Sequence, residues 1–137
     1  MNNDIKTEFK NEAAQELQTW AEKDIGQLIS NTLEQLNLSF HLAGYDLIAE
    51  AVEMVVKDKP LIRRITTVIY VDLAKKHDIT THSVERRIRY AIGHNWKKGN
   101  TDVLNEIFDS DPKKSSQPTN REYIAAIAER VRRLAAL

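Results

Sequence analysis

The side chains best placed to do chemistry in this sequence are Ser83, Glu85, Arg86 and Arg89, which lie within one seven-residue span. An arginine fork carries two donors that match the O6 and N7 acceptors of guanine, and a carboxylate can accept from the N4 amine of cytosine. The stretch that holds them, "LAKKHDITTHSVERRI" from Leu73 to Ile88, has the pattern of a helix-turn-helix. Such a motif needs a small residue where its two helices touch, and Ala74 supplies it. A tight turn must follow, in a conformation that Asp or Asn tolerates best, and Asp78 sits there. Ile79 can plug the turn, and Thr80 or Thr81 can cap the second helix. Val84 and Ile88, four apart, can anchor that helix on a core, which leaves the four polar residues facing outward. They fall in the N-terminal half of the second helix, the part that reaches base edges in the major groove.

Around this reading helix stand residues suited to the sugar-phosphate backbone: Lys75, Lys76, Thr81, His82, Arg87, Lys97 and Lys98. Arg87 occupies a place where many such motifs carry a small or apolar residue. Its long stem can run along the core edge and carry its charge toward phosphate. His77 replaces a common apolar plug and reads as a partly buried packing residue, not a ligand.

The charge distribution supports a polyanion as partner. The chain is formally neutral, with 20 basic and 20 acidic residues. Residues 1–60 hold five Lys/Arg against eleven Asp/Glu, a net of −6, whereas residues 61–100 hold nine against three, a net of +6. A polyanion meets the local field of the basic block, not the net charge.

Helices must position these residues. Only four glycines and three prolines interrupt 137 residues, and apolar residues recur at helical spacing. The expected fold is all-α: a compact multi-helix domain over residues 24–137 containing the helix-turn-helix, preceded by an amphipathic helix over 1–23. In that first helix Ile5, Phe9, Ala13, Leu17 and Trp20 form one apolar stripe, which either packs on its own domain or makes a dimer seam. Further helices are expected at about Asp24 to Leu36, Tyr45 to Lys57, Leu61 to His77 with Tyr70 as a breaking point, His82 to Lys98, and Asp102 to Phe108. "DSDPKKSSQP" reads as a loop, and Thr119 with Glu122 as a capping box opening the last helix, which runs to near Leu134. The β-branched run "ITTVIYV" enters "DLAKKH" without a turn residue and so belongs to a helix.

Catalysis finds no support. There is no glycine-rich phosphate loop and no HExxH. His41, His77, His82 and His94 are not paired at i, i+4 and have no cysteine partners, so neither a metal site nor a cofactor is expected. No apolar run is long enough to span a bilayer, no signal peptide is visible, and the absence of cysteine fits a cytoplasmic protein.

Several collinear blocks carry a family resemblance: "GYDLIAEAVEMV" (Gly44 to Val55), "ITTVIYVDLAKKH" (Ile65 to His77), "VERRIRYAI" (Val84 to Ile92), "WKKGN" (Trp96 to Asn100) and "PTNREYIA" (Pro118 to Ala125). From about Asp24 to Leu134 the chain resembles the C-terminal effector domain of stage-zero sporulation protein A, the master response regulator of endospore formation. The resemblance implies an all-helical domain that binds double-stranded DNA through its helix-turn-helix, with two copies pairing on neighbouring target boxes. It implies base contacts from Glu85 and Arg86, with Arg89 at a nearby basic position. The family carries an arginine where this chain has Ser83, so one of the family's base readers is absent. The family's surface for RNA polymerase corresponds to Gly99 to Asp111, although Asp109-Ser110-Asp111 departs from its pattern. The short acidic front segment stands where the family has a phosphoacceptor receiver domain, so control without an aspartyl-phosphate switch in this chain is expected. A second function suits the acidic first 60 residues: a protein-interaction module that pairs with a full-length response regulator and does not touch DNA.

Overall fold

The computed structural model describes residues 24–136, and among them every regular element is helical. The amphipathic helix expected over Asp4 to about Lys23 lies outside the described residues. Helix α1 covers residues 24–35 and buries Ile25, Ile29 and Leu33 from one face, with Leu36 following. It ends at Asn37, whose φ of 56° is left-handed, and the Leu38 amide closes the turn on the Leu33 carbonyl at 3.0 Å. Helix α2, Tyr45–Lys57, buries Leu47, Ile48, Ala51, Val52, Val55 and Val56, the six residues that its periodicity marks as inward.

The segment expected as one helix from Leu61 to His77 is helical throughout but changes geometry twice. Pro60 lies in the first turn of a 3-10 helix, Lys59–Arg64, where a missing N–H costs least. A π-helical turn, Ile65–Ile69, follows, and α3, Tyr70–His77, is the first regular α-helix of the segment. Ile65-Thr66-Thr67-Val68-Ile69 is entirely β-branched, and such side chains crowd the preceding turn of a regular helix. The wider turn buries Ile65 and Ile69 and leaves Thr66 and Thr67 exposed.

Helix α4, Thr81–Lys98, is the longest described element; α5, Thr101–Phe108, and α6, Asn120–Leu134, complete the domain. Asn100 caps α5, its Oδ1 accepting from the Asp102 and Val103 amides at 3.1 and 3.3 Å. Thr119 and Glu122 form the expected reciprocal capping box of α6. The core centres on α2 packed against α6, with α4 across both. Leu47, Ile48, Ile88, Ile92, Leu104, Ile124 and Ile127 are each almost fully buried, each contributing about 1.5–3 kcal/mol by leaving water.

One polar network threads this core. Asn95 is fully buried; its Nδ2 donates to the Leu36 carbonyl at 2.9 Å, and its Oδ1 accepts from the Tyr123 hydroxyl at 2.8 Å. Burial pushes the Tyr123 phenol far above its usual range, so it stays protonated and donates. The end of α1 is thereby locked to α4 and α6.

Candidate DNA-binding face

The turn between α3 and α4 forms as its residues dictate. Asp78 adopts φ 53° and ψ 49°. The Ile79 amide donates to the Ala74 carbonyl at 3.0 Å and the Asp78 amide to the Lys75 carbonyl at 3.4 Å, the paired closure of a Schellman helix end. Of the two threonines, Thr80 is the cap: its hydroxyl accepts from the Ser83 amide at 3.0 Å. Thr81 is then the first residue of α4, one position earlier than periodicity suggests. Ala74, Val84 and Ile88 are buried, and Ile79 packs against the core from a partly buried position.

A close approach fixes the other side of α4. A side chain at Gly44 would collide with the Arg87 carbonyl, so glycine is required where the start of α2 meets the reading helix. Arg87 is therefore packed through its backbone while its side chain is exposed.

Successive helical residues turn by about 100°, which sets Arg86, Tyr90 and Lys97 opposite the buried line Val84, Ile88, Ala91, Ile92 and Asn95. An open concavity of about 1080 Å³ runs along that outer face, lined on α4 by His82, Ser83, Arg86, Arg87, Arg89, Tyr90, Gly93, His94 and Lys97. Three of the four residues expected to face bases line it. Glu85, the fourth, is half-buried on the flank, where its Oε1 lies 2.8 Å from Arg89 Nη1. It lines a second concavity of about 590 Å³ with Tyr70, Asn120 and Arg121. Its carbonyl accepts from Asn120 Nδ2 at 3.2 Å, and the same amide donates to the Tyr70 hydroxyl at 2.9 Å.

The residues expected at phosphates divide. His82, Arg87 and Lys97 line the larger concavity, whereas Lys75, Thr81 and Lys98 are exposed but do not line it. Lys76 is drawn to α2: its Nζ lies 2.5 Å from Glu50 Oε1, and His77 Nε2 lies 2.5 Å from Glu50 Oε2. Burial alone would raise the Glu50 carboxyl, but its bonds to Lys76 and His77 prevail and hold it below its ordinary value.

A family model described as sporulation initiation factor Spo0A C terminal matches residues 29–131. The chain belongs to this family. The match runs from within α1 to within α6 and confirms the resemblance carried by the sequence blocks. Membership makes the chain a DNA-binding effector domain of the sporulation response-regulator kind, with double-stranded DNA as its partner and no enzymatic activity ascribed to the family. No helix among the described residues is long and apolar enough to cross a membrane.

The outer face of α4 also holds residues that the motif pattern does not single out. Tyr90 is 69% exposed, one turn beyond Arg86. Gln117, from the loop before α6, lies over Gly93 of α4. Helical spacing from Arg86 would have found Tyr90; no local signal would have found Gln117.

Proposed function

We propose that this chain is a sequence-specific transcription regulator that lays α4 in the major groove of double-stranded DNA. Ser83, Glu85, Arg86 and Arg89 face the bases in this reading, with Arg86 as the principal reader. Lys75, Thr81, His82, Arg87, Lys97 and Lys98 lie toward the phosphates, and Lys76 joins them by leaving Glu50. The observation that carries it is the outer face of α4: Arg86 and Lys97 are exposed directly opposite the apolar line that anchors the helix, and Arg87 is exposed on their flank along the same open concavity. The Glu85–Arg89 pair fits the same role. It holds Arg89 at the groove edge in the free protein, and its carboxylate can exchange Arg89 for a cytosine amine on binding. Two copies pair on adjacent boxes, and Gly99 to Asp111, which include α5, offer the surface for RNA polymerase.

The test is selection of bound sequences from a random duplex pool, followed by titration of the winning site at several salt concentrations. Enrichment of a defined site, bound with a steep inverse salt dependence, supports the reading. Absence of any duplex binding at low salt would overturn it in favour of a protein-interaction module.

A further inference from the structure

We propose that the DNA-binding face continues past the first half of α4 onto an uncharged phosphate clamp, made by Tyr90 and Gln117 and seated on Gly93; this rests on the DNA-binding reading above. Gly93 lies well inside an 18-residue helix, where glycine is the poorest choice after proline. Backbone freedom does not explain it, because no glycine here has positive φ. Its neighbour does. A Cβ at Gly93 would stand 2.9 Å from Gln117 Oε1 and 3.6 Å from both Cδ and Nε2 of the same amide. The missing side chain lets the Gln117 carboxamide lie directly on the outer face of α4.

The loop that delivers this amide is held on both sides. Two residues earlier, the Ser115 carbonyl accepts from Trp96 Nε1 at 2.9 Å, and the Trp96 ring is itself buried and packed edge-on against Phe108. Two residues later, Thr119 enters the capping box of α6, with Pro118 restricting the link. Gln117 nevertheless remains exposed and sits between the two concavities, lining both. Tyr90, three residues before Gly93, presents its phenol on the same face.

Position along the helix selects the chemistry. Gly93 lies about 10 Å along the helix axis from Arg86 at 1.5 Å per residue. A straight helix whose first half reaches base edges meets the sugar-phosphate backbone at that distance, because the groove curves away. Tyrosine hydroxyls and glutamine amides both donate to phosphate oxygens. Being neutral, they fix the register of the helix without releasing counterions, unlike Lys97.

The experiment compares Gln117→Ala, Tyr90→Phe, Gly93→Ala and the Gly93→Ala/Gln117→Ala double variant, each binding a selected duplex and an unrelated duplex over a salt series. The clamp requires each single variant to weaken both duplexes by the same factor, roughly three- to tenfold, the range for the net loss of one ordinary hydrogen bond. The slope of log K against log salt should stay unchanged, whereas Lys97→Ala should reduce it by about one. Gly93→Ala should melt no lower than wild type, since alanine favours helix, yet lose as much affinity as Gln117→Ala, with no further loss in the double variant. Unchanged affinity in the variants, or a loss confined to particular base pairs, overturns the clamp. If the wild-type chain binds no duplex, the DNA-binding reading itself fails; binding with insensitive variants removes the clamp alone.

Discussion

The two faces of α4 follow opposite rules. Inward, Val84, Ile88, Ala91, Ile92, Asn95 and Trp96 are at most 7% exposed, and each has a definite partner in the core. Outward, Arg86, Tyr90 and Lys97 are exposed to solvent and stabilise the fold little. The inner face determines where the helix sits and the outer face what it can touch. Errors on the two faces should therefore appear in different measurements, stability for one and DNA affinity for the other.

The largest effect should come from breaking the inner face. Ile88→Ala removes a fully buried side chain at the crossing of α4 with the core and should cost about 2–5 kcal/mol of folding stability. Denaturant titration reads this directly, and any loss of DNA binding should then follow unfolding. A stable Ile88→Ala protein with impaired binding would contradict the division of labour.

Arg86→Ala is the matching change outside. It should leave melting unchanged and cost about 1–3 kcal/mol on a selected site, with relaxed preference at one base position. Binding competition between the selected site and single-base variants checks this. Uniform weakening across all sequences would make Arg86 a phosphate contact.

A third test concerns a contact that joins the motif to α2. Because the folded state holds Glu50 below its ordinary carboxylate value, the unfolded chain takes up its proton first as pH falls. The stabilisation is thus fully present above the ordinary value of 4.5 and is lost as pH drops through the lower folded value. Glu50→Gln should melt below wild type at pH 7, and the difference should shrink as pH falls below 4.5. A gap independent of pH would assign Glu50 a packing role without charge.

The smallest effect belongs to the exposed pair on α4. Glu85→Gln breaks an i, i+4 bridge at the helix surface and should change stability by only about 0.3–0.5 kcal/mol. Its visible consequence should be altered base preference in a pool selection, since Arg89 is then released. An unchanged selected site would remove Glu85 from the reading set.

Local interactions account for what could be read along the chain. The inward sets of α2 and α4, the left-handed turn at Asp78, the plug at Ile79 and the Thr119–Glu122 capping box all depend on residues within a turn or two of one another. Periodicity and side-chain type report such interactions directly, and the helix-turn-helix could be located from them. The collinear blocks likewise identified the family without coordinates. The β-branched run Ile65 to Ile69 was legible as helical, but its π-helical turn was not, because β-branching crowds a regular helix without dictating the geometry that replaces it. Contacts between distant residues were settled only by the tertiary structure. Glu50 draws Lys76 from 26 positions away, Glu85 turns to the flank where Asn120 meets its carbonyl, and Gln117 reaches Gly93 across a loop. Charge and spacing nominated the cations of α3 and α4, but long-range packing decided which of them stand along the open face and drew Lys76 to a distant carboxylate.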